Sequence, residues 1–315
     1  MTPTRVLPAP LAIGGAVAIG VLTAIQARIN GVLGVRLGDG VVAGLISFSV
    51  GTLALAAIVV AIPAGRAGMA RLGRGVRERR IPPWMLLGGA CGALTVSTQG
   101  LTAGLLGVSL FTVGVVAGQT THGLVLDRIG FGPAGVVAVT MGRVAGAALA
   151  LVAVGVSLGG DVLDRAPLWM LVLPFAAGVG IAWQQAANGR LAQRVASPMA
   201  ATMTSFLAGT AVLAAAAAIS VLVDGPPRGL PAEPWLYLGG LLGVAYIFLG
   251  AFLVAQTGVL LLGLGSVLGQ LVTAVLIDVV WPADAAPEPW QIVTMVALAA
   301  ASVLLALVRG RRRPA

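Results

Sequence analysis

Lysine is absent: all 19 basic residues of this 315-residue chain are arginine, and only 9% of the chain is charged. Histidine and cysteine each occur once, and tyrosine twice. Each scarcity excludes something. A lone cysteine, Cys91, rules out a disulfide framework. So little charge cannot cover the surface of a water-soluble domain of this size. The missing lysine reflects the codon usage of a GC-rich bacterial genome more than any chemistry. The formal net charge of +9 is no nucleic-acid signature, because the arginines fall in short connections and tails between apolar runs. That placement is the orientation signal of a membrane protein.

What the chain has in abundance is apolar sequence. It is 58% hydrophobic with 45 glycines and 18 prolines, and its mean hydropathy is +1.03. Apolar runs long enough to cross a hydrocarbon core of roughly 30 Å recur from end to end. Ten spans are expected, at 8–30, 39–62, 84–103, 105–127, 133–156, 168–190, 197–223, 235–255, 257–279 and 289–308. The first follows Arg5, but it is longer than a signal-peptide core and lacks a clear cleavage site, so it reads as a retained span. The predicted class is an all-α, multi-pass protein of a bacterial cytoplasmic (inner) membrane.

The loop RAGMARLGRGVRERR, 66–80, carries six Arg against one Glu, and the tail from 308 carries four more Arg. An even number of spans puts both on the cytoplasmic side only if the N-terminus is there too. Acidic residues then fall outside: Asp161, Asp164, Asp224, Glu233, Asp284 and Glu288. Arg28 and Arg36 also fall outside, against the trend. Five tryptophans, at 84, 169, 235, 281 and 290, lie at span ends, where an interfacial belt belongs.

The sequence repeats itself. Residues 20–52 align with 178–210 without a gap, with 13 of 33 positions identical, well above chance. The shared residues include Gln26/Gln184, Asn30/Asn188, Ser47/Ser205, Phe48/Phe206, Gly51/Gly209 and Thr52/Thr210. Farther on, an offset of 151 instead of 158 aligns Gly88/Gly239, Gly92/Gly243, Gly118/Gly269, Gln119/Gln270 and Asp127/Asp278. The change is absorbed by the longer basic loop. Two halves of five spans, 1–156 and 157–315, enter the membrane from opposite sides. Secondary transporters use such inverted repeats to build two oppositely facing states around one central site.

The doubled G-x5-Q-x3-N-G and A-x3-S-F-x2-G-T pattern (Gly20 to Thr52, Gly178 to Thr210) and the G-Q-x7-D element (Gly118 to Asp127, Gly269 to Asp278) carry a resemblance. The chain resembles the YdcZ-type inner-membrane exporters of the drug/metabolite transporter (DMT) superfamily over essentially its whole length. That resemblance implies ten helices in two inverted repeats and an export role, and leaves the substrate open.

Polar residues within spans are the candidates for function. Gln26 and Asn30 share a helix face, as do Gln184 and Asn188. The Asn-Gly pairs could equally be helix C-caps near the two mouths. Gln119 and Gln270 are flanked by glycines at small-xxx-small spacing and serve either a substrate or interhelical packing. Arg143 is expected roughly 15 Å along the fifth helix, bound to an acid, to carbonyls or to an anionic substrate. His122, on the face of Gln119, is either a proton relay or packing. Trp183 offers an aromatic platform or faces lipid. Asp127 and Asp278, near helix ends, read as solvated or capping. The span interiors otherwise contain no Asp or Glu, which leaves carboxylate-driven proton exchange without a residue.

The expected function is export of a small polar or amphipathic metabolite or drug by alternating access. A lipid translocase on the same fold is the alternative. An intramembrane enzyme fits less well, because Ser109 and His122 come without a G-x-S-G elbow and no zinc-ligand or phosphate-loop spacing is present. No catalytic residue, metal or cofactor is expected. The expected partners are a small-molecule substrate and the bilayer, with no nucleic acid; a homodimer is compatible with the sequence.

Overall fold

Backbone in hydrocarbon must satisfy its own N–H and C=O groups, so apolar runs of this length become helices. The computed structural model describes residues 8–157, 168–282 and 288–307, and all regular structure among them is helical. The helices are α1 (Ala9–Leu37), α2 (Gly40–Ala61), α3 (Pro63–Arg77), α4 (Gly88–Thr98), α5 (Val108–Arg128), α6 (Met141–Ser157), α7 (Leu168–Val195), α8 (Pro198–Asp224), α9 (Gly239–Val280) and α10 (Pro289–Leu307). Among the described residues, five helices are long and apolar enough to cross a membrane: Pro10–Leu37, Gly40–Ala61, Val108–Arg128, Pro198–Asp224 and Pro234–Val254. Asp161, Asp164, Asp284 and the arginine-rich tail from 308 lie outside the described residues.

The turns show the repeat at atomic scale. α1 ends at Gly38, in the left-handed region at φ 70°, and Asp39 caps α2 by accepting from Val41 N (2.8 Å) and Val42 N (2.9 Å). The repeat-mates of these two residues are Ala196, also left-handed at φ 46°, and Ser197, whose Oγ accepts from Ala200 N.

α1 and α7 continue well beyond Asn30-Gly31 and Asn188-Gly189, so these pairs are not helix C-caps, one of the two roles expected of them. They sit inside helices because tertiary partners, described below, occupy their side chains. The basic loop is mostly helix α3, which turns Gly65, Gly68 and Leu72 inward and its arginines outward. The fifth expected span starts late. Residues 131–140 are non-helical, with Gly130 at φ 67° and Gly135 at φ 72°, and Val137 N donates to Asp127 O.

α9 is helical from Gly239 to Val280, yet it flanks α1 twice in opposite senses. Gly239 lies beside Asn30, Gly243 beside Gln26 and Leu253 beside Gly15. Returning, Gly265 lies beside Ala16, Ser266 beside Gly20, and Trp281 under Arg28. A straight helix of 42 residues would be about 63 Å long and could not touch α1 twice. The chain therefore reverses between Val254 and Gly265, and α9 is two limbs, close to the expected spans 235–255 and 257–279.

Packing crosses between the halves of the sequence. α1 lies along both limbs of α9, α7 along α4 and α5, and α6 along α10. The central core gathers Ile19, Phe48, Ala186, Phe206, Tyr246 and Leu253. Leu222 and Val280, 85% and 84% exposed, present apolar surface outward, as lipid-facing residues do.

Candidate functional site

Two amide clusters form where helices approach at glycines. In one, Gln26 Nε2 donates to Gly239 O (2.8 Å) and Asn30 Nδ2 to Gln99 Oε1 (2.7 Å). A Cβ on Gly239 would stand 2.4 Å from Asn30 Oδ1, and one on Gly243 2.7 Å from Gln26 Nε2. Only glycine fits such contacts. In the other, Ser205 Oγ donates to Asn188 Oδ1 (2.7 Å), and Cβ atoms on Gly88 and Gly92 would come within 2.5 Å of Asn188 Oδ1 and 2.6 Å of Gln184 Nε2. Gln184, Asn188, Gly88 and Gly92 are the repeat-mates of Gln26, Asn30, Gly239 and Gly243, and Ser205 is that of Ser47, which lies beside Gly239; Gln99, in the first cluster, has Gly250 as its mate. α4 connects them: Gly88 faces Asn188, and Gln99, just past its end, bonds Asn30, which separates the clusters by roughly 16 Å of helix.

A third polar group joins α5, α7 and α9. Gln119 Nε2, from α5, donates to Gln185 Oε1 on α7 (3.4 Å) and to Ser266 Oγ on α9 (3.5 Å). Gln184, Gln185, Asn188, Tyr246, Ile181 and Ile247 line a cavity of about 10 Å³, the lower limit for one water. Among the described residues, Gln119 Oε1, Gln184 Nε2 and Gln26 Oε1 have no hydrogen-bond partner, and each residue is at most 2% exposed. Buried polar groups are rarely left so. Gln270 is also buried; its backbone N lies beside Gly20, as that of Gln119 lies beside Gly178. His122 is half-buried one turn from Gln119 and makes no hydrogen bond to a described residue.

Beside each amide cluster, aromatic rings and a guanidinium pack together as a latch. At the Asn30 end, Trp235 and Trp281 pack with centroids 5.4 Å apart, and the Arg28 guanidinium stands 4.3 Å over Trp281. At the Asn188 end, Trp84 packs on Phe131 at 4.8 Å, Phe131 stacks on Trp183 at 6.3 Å, and the Arg190 guanidinium stands 5.6 Å from Phe131. Arg190 also pins the 131–140 segment by donating to Gly130 O (2.5 Å) and Gly132 O (3.4 Å). Trp84 and Trp235 are repeat-mates. Trp183 is therefore an aromatic platform for the chain's own Phe131.

The carboxylates flanking these latches are buried, not solvated. Asp278 receives Val108 N (3.0 Å) and Ser109 N (2.7 Å), capping α5, a helix of the other half. Asp127 lies 3.8 Å from Arg143. Because α6 begins only at Met141, Arg143 is in its first turn and not 15 Å along a helix; it also donates to Ala138 O (3.2 Å). Arg36 pairs with Glu233 at 3.4 Å, and Arg28 is buried against Trp281.

A seam joins the halves at the middle. The Phe48 and Phe206 rings pack 5.0 Å apart, and Thr52 Oγ1 and Thr210 Oγ1 lie 2.8 Å apart. The sequence reading missed Gln99, Gln185, Ser266, Tyr246 and Phe131. Gln99 and Gln185 were detectable as amides within spans. Ser266, Tyr246 and Phe131 carry no local signal, because their roles come from partners far away in sequence.

Buried amides inside an apolar helical bundle fit the class of multi-pass helical membrane proteins of transporter type. The chain matches the family model described as "Putative inner membrane exporter, YdcZ" over residues 11–156 and 169–307, and it belongs to that DMT family. A crystal structure of a protein described without a function is similar in fold, with a TM-score of 0.56 at 19% identity over 96% of this chain and 97% of that one. No curated protein matches the chain.

Proposed function

We propose that the chain is a secondary exporter with ten spans in two inverted five-helix repeats, 1–156 and 157–315, and with both termini in the cytoplasm. It exchanges between two oppositely facing states by opening one latch while the other stays shut. The observation that carries this reading is the matched pair of closures, Arg28–Trp281–Trp235 and Arg190–Phe131–Trp84, each outside its own copy of the Gln, Asn and Ser cluster. With both shut, the interior is occluded.

The substrate meets Gln119, Gln184 and Gln270 at the centre, and Gln26, Asn30 and Asn188 on either side. His122, one turn from Gln119, is reachable once the cavity opens. Among the described residues, the polar part of the cavity lining is amide and hydroxyl, the rest is apolar, and no ionic side chain lines it. An unpaired ion is costly to bury, so a small molecule with uncharged polar groups suits this lining better than a strong ion.

The test is a thermal-unfolding screen of purified protein against amino acids, sugars, nucleosides and organic cations, followed by counterflow in proteoliposomes for each stabilising compound. A ligand at a hundredfold excess over its Kd stabilises by about 2.7 kcal/mol. Gln119→Ala should keep the fold and lose both stabilisation and counterflow at least tenfold. Saturable counterflow unaffected by Gln119→Ala and Gln184→Ala would remove the central amides from the pathway. Flux without counterflow would make the protein a channel.

A further inference from the structure

The basic segment between α2 and α4 is not absorbed by the export reading. Helix α3 packs through Gly65, Gly68 and Leu72 against the start of α8: a Cβ on Gly68 would stand 2.4 Å from Ser197 Oγ, and one on Gly65 2.9 Å from Met199 Sδ. Its outward arginines and the end of α7 then enclose a cavity of about 340 Å³, lined by Arg71, Arg74, Glu78, Arg80 and Arg194 with Gly75 at its wall. Four guanidinium groups thus face one carboxylate.

Two of the four are tied to backbone carbonyls and a third pairs with the carboxylate. Arg71 donates to Val195 O (2.6 Å) and Ala196 O (3.1 Å), Arg194 donates to Arg80 O, and Arg80 pairs with Glu78 at 2.9 Å. The Arg71 bonds satisfy carbonyls at the α7 terminus, and every one of these guanidinium groups keeps donors to spare, since each carries five. The Arg74 side chain makes no hydrogen bond or ion pair with any described residue. A cluster of guanidinium forks with free donors is an arrangement that receives phosphate oxygens.

The surroundings identify which phosphate. α3 has the composition of a helix lying in the membrane interface, with arginines on one side and small or apolar residues on the other. Val76, next in the chain to the lining Gly75, is 43% exposed, so apolar surface adjoins the charges. The corresponding connection at the opposite end is built differently. There the backbone N of Arg228 donates to Leu37 O, and Glu233 is taken by Arg36. The seven extra residues of the basic connection therefore build something its repeat-mate lacks.

We propose that this cavity is a binding site for the phosphodiester of an anionic phospholipid headgroup, seated between α3 and the end of α7 with Arg74 as its principal free donor. The site stands apart from the exchange pathway and does not depend on it.

The experiment uses the full-length protein in neutral detergent, with thermal unfolding read by tryptophan fluorescence. Dioleoyl-phosphatidylglycerol, dioleoyl-phosphatidylcholine and inorganic phosphate are titrated separately. Phosphatidylglycerol should raise the midpoint in a saturable way, and the other two should not. Arg74→Gln should weaken the phosphatidylglycerol response about tenfold. Arg77→Gln, the same charge change on the same helix but outside the cavity, should leave it within twofold. Equal loss in both variants would reduce the effect to diffuse surface charge and overturn the site. Equal stabilisation by phosphatidylcholine would overturn the requirement for an anion, and equal stabilisation by inorganic phosphate would overturn the lipid as its source. Native mass spectrometry of the wild-type protein gives a reading independent of any variant: phosphatidylglycerol adducts retained over phosphatidylcholine support the site, and equal retention overturns it.

Discussion

Removing one latch should bias the protein toward the state open at that end. Trp281→Ala deletes the pair with Trp235 and the ring beneath Arg28, contacts at 5.4 Å and 4.3 Å. An aromatic pair contributes about 0.5–1.5 kcal/mol beyond its buried area, and a cation over a ring about 0.5–2 kcal/mol. The closed end therefore loses roughly 1–3.5 kcal/mol, a population shift of roughly 5- to 300-fold at 1.4 kcal/mol per factor of ten. Phe131→Ala deletes the contacts to Trp84, Trp183 and Arg190 and should produce a comparable shift in the opposite direction. The assay is a single thiol at the central cavity, Gln185→Cys in a Cys91→Ala background, labelled by a membrane-impermeant maleimide in vesicles of known sidedness. Trp281→Ala should speed labelling from the Trp281 side and slow it from the other, and Phe131→Ala should reverse the pattern. If both variants accelerate labelling from the same side, or from both sides equally, the latches are not the two gates and the reasoning fails.

Two further substitutions test the packing on which those gates rest. A Cβ on Gly89 would fall 1.9 Å from Ser205 O, and one on Gly240 2.0 Å from Ser47 O, so each Gly→Ala forces backbone apart. Either should cost about 3 kcal/mol or more by overpacking, seen as a lowered midpoint or lost monodisperse protein; one tolerated and the other not would show that the two approaches are not equivalent. Asp278→Ala removes the cap of α5 and should cost about 2 kcal/mol in thermal unfolding, because two buried N–H groups lose their acceptor. An unchanged midpoint would mean that the cap is dispensable.

Hydropathy made most of the helices legible, and the repeat made the paired glycines and amides legible before any contact was known. Neither could tell which half each residue touches. Gln26 meets Gly239 and Gly243, and Gln184 meets Gly92, so every cluster draws one partner from each half. Local rules also misjudged the Asn-Gly pairs. Asn-Gly ends helices when its groups face water, whereas Asn30 and Asn188 find Gln99 and Ser205 and the helices run on. The stretch after Asp127 failed for the opposite reason. Its apolar residues read as the start of a span, but Gly130, Pro133, Gly135 and the grip of Arg190 hold it as an extended segment packed against α7. The late start of α6 moved Arg143 from mid-helix to a helix terminus beside Asp127.

Thr52 and Thr210 occupy equivalent positions in the repeat and touch each other. A residue in contact with its own counterpart sees the same neighbour from either direction. In the proposed exchange, every off-axis contact acts as a weight on one pan of a balance, whereas this pair sits at the fulcrum. Altering it cannot tip the protein inward or outward. It can only make the beam swing more stiffly or more freely, so its signature belongs in turnover rate and not in sidedness.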